Sequence, residues 1–214
     1  MQWLGDPAAP TSSVIDDRIF IAELLTQLTS TLCIDESRVY AAGFSNGGGL
    51  TGLLMCDAEL NKKFAAFATS SGAFYPDASL TEPLFQGDCR PDLHGRVLPY
   101  MNPHGLNDSV VAYDGINNPP PASIPVLSWV EDWAKRDNCS STPQAVKVEG
   151  GSVTERRWQC DGVEDVVVHR AIEGFGHGWP SRKNQGEPFE TFRNGPTTWD
   201  ATPFMLKWFA KWTL

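Results

Sequence analysis

Hydrophobic residues in this chain form short continuous runs that alternate with stripes at helical spacing. The continuous runs predict strands that are buried on both faces of a sheet, at 39–42, 64–70 and 97–101. Pro99 weakens the third of these strands because proline cannot donate a hydrogen bond to a neighbouring strand. Two later strands, 153–158 and 166–172, are predicted to join around Asp161 and Gly162, a dipeptide that favours hairpin turns.

The stripes at helical spacing predict amphipathic helices between these strands. The first helix opens at Asp16 and Asp17, whose carboxylates favour the positive end of a helix. Its predicted buried stripe consists of Ile21, Leu24, Leu25 and Leu28. Two more helices are predicted over 126–138 and 204–212. This alternation is typical of an α/β domain in which helices flank a mostly parallel sheet, and a chain of 214 residues suits one such domain, residues 1–214.

One segment combines a strand, a glycine-rich turn and the start of a helix. The first predicted strand runs into the letters GFSNG at 43–47, which fit the pattern G-x-S-x-G. We therefore expect Ser45 at the tip of a strained turn, and we expect Gly43 and Gly47 to be small because the two backbones pass close together. The backbone N–H of Asn46 would point at negative charge developing on a substrate. The alternative is a glycine-rich turn that merely contains a serine.

A serine nucleophile needs a base that takes its proton, and the chain offers four histidines. His177 is the best placed, because it lies between two glycines in the loop that follows the last predicted strand. His169 lies inside a strand, where a core or surface role is expected. His94 lies in a polar loop, and His104 directly follows a predicted strand, where a structural role is expected.

The base in turn needs an acid that orients it, and Asp108 is the best candidate. It lies in the loop after the third predicted strand, with Asp114 as a near competitor. The order Ser45, Asp108, His177 along the chain is the order of the α/β-hydrolase fold.

Charge and cysteine content narrow the possible partners and the compartment. A net charge of −9 argues against nucleic acid or an anionic membrane as a partner, and no segment is apolar enough to span a membrane. Five cysteines favour an oxidising compartment, and Cys139 and Cys160 flank a segment that a disulfide could close. The histidines and cysteines lack the spacing of a zinc site, so we predict no metal. A serine nucleophile that transfers an acyl group needs no cofactor, so we predict none.

Several segments, spread over essentially the whole chain, together resemble one known family. They are CIDESR at 33–38, GFSNGGG at 43–49, SGAFY at 71–75, HG at 104–105 with Asp108, GHGWPS at 176–181 and DATP at 200–203. The chain resembles the fungal feruloyl esterases of carbohydrate esterase family 1, which are grouped with polyhydroxybutyrate-depolymerase-like esterases. The resemblance implies an α/β-hydrolase fold with Ser45 as nucleophile, His177 as general base and Asp108 as its acid.

The resemblance also implies a substrate and a location. It implies a secreted fungal serine esterase that cleaves feruloyl esters on plant cell-wall polysaccharides such as arabinoxylan, with no required protein partner. An acetylxylan esterase or a polyhydroxyalkanoate depolymerase is the alternative within the class. A truncated pseudo-esterase that only binds polysaccharide is the alternative from another class. Trp179 is a candidate wall of the substrate pocket, with core packing as the alternative.

Members of this family carry a further N-terminal portion, whereas the similarity here begins mid-fold, near QWLGDP at 2–7. We therefore expect the chain to be the C-terminal part of the fold, without the N-terminal strands, the second oxyanion donor or a signal peptide.

On the same view the ends of two adjacent helices bring Cys33 and Cys56 within disulfide range, with Cys139–Cys160 as the second disulfide and Cys89 left unpaired. Asn138 begins a glycosylation sequon.

Overall fold

A computed structural model describes residues 2–76, 89–93, 95–116 and 122–214 of the protein. The helices and strands in these ranges are α1 (Asp17–Thr31), β1 (Tyr40–Phe44), α2 (Asn46–Cys56), β2 (Ala66–Ser70), β3 (Tyr100–Gly105), α3 (Val126–Arg136), β4 (Gln144–Val148), β5 (Val153–Cys160), β6 (Val163–Ile172), α4 (Phe189–Arg193) and α5 (Ala201–Phe209). None of these helices has the length and hydropathy needed to cross a membrane. His94 lies outside the described residues.

The strands form one mixed sheet of six strands in the order β1-β2-β3-β6-β5-β4. The first four strands in this order are parallel, whereas β5 pairs with β6, and β4 with β5, in antiparallel orientation. Every residue of β2 is buried, as its continuous apolar run predicts for a strand in the interior of a parallel sheet. The α/β class predicted from the sequence is confirmed.

The hairpin at the antiparallel end also follows the sequence prediction. β5 and β6 meet at Asp161 and Gly162, which both have positive φ angles (49° and 83°). Such turns match the twist of the strands they join, and they favour an Asp-Gly pair. β4 was not predicted, because its residues are almost all exposed and carry no apolar pattern that would mark a buried strand.

The third strand lies three or four residues further along the chain than predicted. It spans Tyr100–Gly105 and not 97–101, so Pro99 precedes the strand. Pro103 is tolerated inside it because the pairing of β3 with β2 covers only Tyr100 and Met101. As a consequence, His104 lies within the strand and is fully buried, whereas the sequence placed it just after the strand.

The prediction of a buried stripe on α1 is wrong. No residue of α1 is buried, and Leu24 is 39% exposed. Ile19 and Phe20 are also exposed, since the apolar residues lie around several sides of the helix. On one side of α1, Ile21 and Leu25 are partly buried against the core, and the helix contacts α2. β1 has β2 as its sole strand neighbour in the described sheet.

One of the two predicted disulfides is present and the other is wrong. Cys139 is bonded to Cys160, which ties the end of α3 to β5. Cys56, however, is bonded to Cys89, and Cys33 is an exposed free thiol. The segment that begins at Cys89 runs past the end of α2, where the backbone N–H of Arg90 donates to the carbonyl of Cys56 (3.1 Å). Cys33 lies beyond the end of α1 and faces solvent instead.

We expect a thiol-directed maleimide to modify Cys33 alone in the folded, non-reduced protein, because it is the exposed free thiol. Peptide mapping should place the label there and recover Cys56 linked to Cys89. A Cys33→Ser variant serves as the control and should take up no label. Label on Cys89 in the unreduced protein would contradict the pairing.

A buried carboxyl group, that of Asp137, follows the last residue of α3. Its Oδ1 atom accepts a hydrogen bond from the backbone N–H of Leu98 (2.8 Å), and its Oδ2 atom has no hydrogen-bond partner among the described residues. Burial raises the pKa of Asp137 to about 7, although the Leu98 N–H and the positive charge of Arg96 act in the opposite direction.

This raised pKa predicts how the stability of the protein depends on pH. Folded Asp137 holds its proton more tightly than the unfolded chain, in which the carboxyl pKa is 3.8. Its contribution to the free energy of unfolding is therefore complete below the unfolded pKa and is lost as pH rises through about 7. An Asp137→Asn variant keeps the acceptor for Leu98 and does not ionise.

Urea unfolding near pH 5 and near pH 9 measures the effect. From the lower to the higher pH, we expect the free energy of unfolding of wild type to fall by about 2–3 kcal/mol more than that of the variant. Parallel pH profiles for the two proteins would contradict the assignment.

Candidate active site

Ser45 joins β1 to α2 in a backbone conformation that non-glycine residues rarely adopt (φ 55°, ψ −123°). Its own backbone is held on both sides, since its N–H donates to the carbonyl of Ser70 (3.0 Å) and its carbonyl accepts from Ala73 (3.1 Å). The end of β2 and the loop that follows it therefore fix the strained residue. The strained turn predicted from the G-x-S-x-G pattern is present.

The two glycines of that pattern differ in what they do. A Cβ atom on Gly43 would lie 2.0 Å from the carbonyl oxygen of Gly47, so no larger residue fits there. A Cβ atom on Gly47 would meet nothing within 4 Å, and the expectation that this position must be small is wrong. Gly49 takes the second tight position, where a Cβ atom would lie 2.4 Å from the carbonyl oxygen of Ala73.

The structure brings together the three side chains that the sequence predicted. His177 Nε2 lies 2.9 Å from Ser45 Oγ, and His177 Nδ1 lies 2.8 Å from Asp108 Oδ2. A carboxylate can only accept, so Nδ1 carries the proton and Nε2 is left to accept the serine hydroxyl proton. Asp114, the competing acid, is exposed, and Nδ1 bonds to Asp108 instead.

Asp108 is fully enclosed by hydrogen-bond donors. Its Oδ1 atom accepts from the backbone N–H groups of Val110 (2.9 Å) and Val111 (2.7 Å), and its side chain is 0% exposed. Burial by itself would raise the pKa of this carboxyl group, but the imidazoles of His104 and His177 hold the pKa well below its usual range. The group is therefore a carboxylate at neutral pH.

Backbone contacts place the histidine loop against the acid loop. The N–H of His177 donates to the carbonyl of Phe192 (2.7 Å), and the N–H of the preceding residue, Gly176, donates to the carbonyl of Arg193 (3.0 Å). The N–H of Asn107 donates to the carbonyl of Phe175 (2.9 Å) and so links the two loops. The loop that carries His177 is thus fixed from two directions.

Sequence reasoning missed the part of the site contributed by the first residues. The side-chain amide of Asn46 pairs with the backbone of Trp3, accepting from its N–H (2.7 Å) and donating to its carbonyl (3.2 Å). Burial, together with the negative charges of Asp6 and Asp108, raises the pKa of Tyr75. No sequence signal marked these contacts, because short loop segments lack periodicity.

The remaining candidates have structural partners. His169 is fully buried between Asn102 and Tyr113, with Nδ1 2.8 Å from the Asn102 carbonyl and Nε2 2.8 Å from the Tyr113 hydroxyl. Burial lowers its pKa to about 3, and the core role expected for it is confirmed. Trp179 is half-buried against the core, and its indole N–H donates to Thr202 (3.0 Å). Its predicted contact with substrate stays a prediction.

No group of three histidine, cysteine, aspartate or glutamate side chains in the described ranges is arranged to hold a metal ion. The chemistry available at this site is that of a hydroxyl, an imidazole and a carboxylate in one hydrogen-bonded line. Such a line activates the hydroxyl as a nucleophile toward a carbonyl carbon.

Comparisons with known proteins agree in the kind of protein that they find. No protein-family model matches the chain. It is 31% identical over 173 residues to feruloyl esterase B of Piromyces equi, a match that covers 78% of this chain and 30% of that protein. Feruloyl esterase C of Emericella nidulans is 30% identical over 167 residues, which cover 77% of this chain and 52% of that protein.

A third relative is named for a different activity. A bifunctional acetylxylan esterase/xylanase of Neocallimastix patriciarum is 31% identical over 167 residues, which cover 75% of this chain and 21% of that protein. The chain therefore spans from about a fifth to about half of the length of these three relatives.

The different surroundings of Gly43 and Gly47 predict opposite results for the same substitution. Gly43→Ala should lower the free energy of unfolding by roughly 3–5 kcal/mol or prevent folding, because its Cβ atom would overlap the Gly47 carbonyl. Gly47→Ala is the matched control. It should change stability by no more than about 1 kcal/mol, since it lies in α2 with open space around it. Thermal unfolding of both variants checks this, and equal losses would contradict the contact.

Proposed function

The resemblance to the fungal feruloyl esterases that the sequence motifs predicted is confirmed by these relatives, and on that premise we propose that the protein is a serine carboxylic ester hydrolase. The observation that carries the proposal is the unbroken line from Asp108 through His177 to Ser45, at 2.8 Å and 2.9 Å. Ser45 is the nucleophile, His177 the general base and Asp108 the acid that orients the base.

The geometry supports a two-step acyl transfer. In the first step Ser45 Oγ attacks the carbonyl carbon of the ester while His177 Nε2 takes its proton. The resulting imidazolium is stabilised by the carboxylate of Asp108, which stays ionised. His177 then returns the proton to the leaving alcohol, which leaves an acyl group on Ser45. Water activated by the same histidine releases the acid in the second step.

The start of α2 supplies part of the stabilisation of the oxyanion. Asn46 is the first residue of α2, and the first amides of a helix have no partner within it. Its backbone N–H is therefore the proposed donor to the negative oxygen of the tetrahedral intermediate, aided by the positive end of the helix.

The fold and the cysteines support two further parts of the proposal. The serine turn after β1, the acid after β3 and the histidine after β6 follow the order of the α/β-hydrolase fold, to which we assign the mixed sheet. Two disulfides among the described residues, Cys56–Cys89 and Cys139–Cys160, favour an extracellular location. Secretion would also bring the protein to a polymeric substrate outside the cell.

The relatives favour an ester of the plant cell wall as substrate. Two of those described above are named feruloyl esterases, so a feruloyl ester on a polysaccharide such as arabinoxylan is the primary assignment. The third relative is named an acetylxylan esterase/xylanase, and this name favours acetylated xylan as the second candidate.

Hydrolysis of methyl ferulate by wild type and by Ser45→Ala tests the proposal. We expect the variant to lose at least about 1,000-fold in kcat, because no other group replaces the attacking oxygen. Nitrophenyl acetate and acetylated xylan, measured in parallel, separate feruloyl from acetyl preference.

Ser71→Ala is the matched control, since this buried serine lies at the end of β2 and contacts the carbonyl of Gly178 at 3.5 Å. It should retain activity. Equal activity of Ser45→Ala and wild type on every ester would refute the assignment of the nucleophile.

A further inference from the structure

A second histidine lies against the catalytic acid. His104, near the end of β3, is fully buried, and its Nε2 atom lies 2.9 Å from the carbonyl oxygen of Val111 and 3.3 Å from Asp108 Oδ2. A backbone carbonyl can only accept a hydrogen bond, so the proton of this imidazole is on Nε2. The same N–H therefore faces both the acid and the loop that holds it.

The other ring nitrogen supports this assignment. His104 Nδ1 is buried and has no hydrogen-bond partner among the described residues. A proton on Nδ1 would leave a buried donor unpaired, which is costly, whereas an unprotonated Nδ1 only leaves an acceptor unused. The surroundings thus hold His104 in one tautomer, with its single N–H directed at Val111 and Asp108.

The carboxylate of Asp108 consequently lies between two imidazoles. His177 Nδ1 approaches Oδ2 from the active site at 2.8 Å, and His104 Nε2 approaches the same oxygen from the core. The amides of Val110 and Val111 occupy Oδ1. All of these donors except His177 belong to β3 or to the loop that follows it, so they set the direction in which Oδ2 points before His177 is engaged.

We propose that His104 is a positioning residue for the catalytic acid: its Nε2–H holds the Val111 turn and the Asp108 carboxylate in the orientation that His177 requires. This inference rests on the proposed function, in which Asp108 orients His177. His104 exchanges no proton in the reaction and is buried away from substrate. Its loss should therefore lower kcat and leave KM nearly unchanged.

Two amide substitutions distinguish a positioning role from a space-filling one. A glutamine amide nitrogen is as many bonds from Cβ as histidine Nε2, and an asparagine amide nitrogen is as many bonds from Cβ as Nδ1. His104→Gln can therefore still reach Asp108 and Val111, whereas His104→Asn cannot. We expect kcat to fall about 10- to 100-fold in His104→Asn and to stay within about 3-fold of wild type in His104→Gln.

A second comparison removes the acid. In an Asp108→Ala background, His104→Asn should lower kcat no further, because the residue acts through Asp108. The proposal is overturned if His104→Gln and His104→Asn lose activity equally, or if the loss in His104→Asn is as large without Asp108 as with it.

A proton NMR measurement keeps this test separate from the proposed function. The proton shared by His177 Nδ1 and Asp108 should give a low-field resonance that is absent in Asp108→Ala. It should be retained in His104→Gln and shifted or broadened in His104→Asn. An unchanged resonance in His104→Asn would overturn the positioning role, even if no ester tested were hydrolysed. If Ser45→Ala matched wild type in activity, the proposed function would fail instead.

Discussion

The carbonyl oxygen of Gly47 occupies the space that any side chain at Gly43 would need, and this contact sets how closely β1 approaches α2. The close approach forces the chain to reverse within one residue, and Ser45 is that residue. Its unfavourable backbone angles persist because the end of β2 and the loop that follows it both form hydrogen bonds with its backbone. The position of the Ser45 hydroxyl next to His177 is therefore set by backbone packing more than by any interaction of the serine side chain itself.

The parts of the structure that depend on local chain chemistry could be read from the sequence. The apolar run of β2 indicated a buried strand, and the Asp161-Gly162 pair indicated a hairpin, because each signal is contained within a few residues. The G-x-S-x-G pattern indicated the strained turn for the same reason. The positions of Asp108 and His177 in loops that follow predicted strands favoured these two residues, and the parallel strands bring them to one edge of the sheet.

The parts that depend on distant neighbours could not be read in this way. The shift of β3 reflects where its pairing with β2 ends, which no single-strand pattern reveals. The pairing of Cys56 with Cys89 depends on the path of a segment that passes the end of α2. For His104 the sequence indicated only a structural role, because its contacts come from a loop that folds back over it.

The position of β1 in the sheet has a consequence for how firmly Ser45, the proposed nucleophile, is held. Among the described residues β1 is bordered by a strand on one side only, and α1 buries none of its side chains fully. Acid and base, in contrast, extend from β3 and β6, which lie in the interior of the sheet. The Ser45 hydroxyl is thus attached to a strand at the edge of the described sheet, while Asp108 and His177 extend from strands in its interior. Local opening of a sheet begins at its edges, so within the described residues the alignment of the three side chains depends more on the margin of the sheet than on its centre.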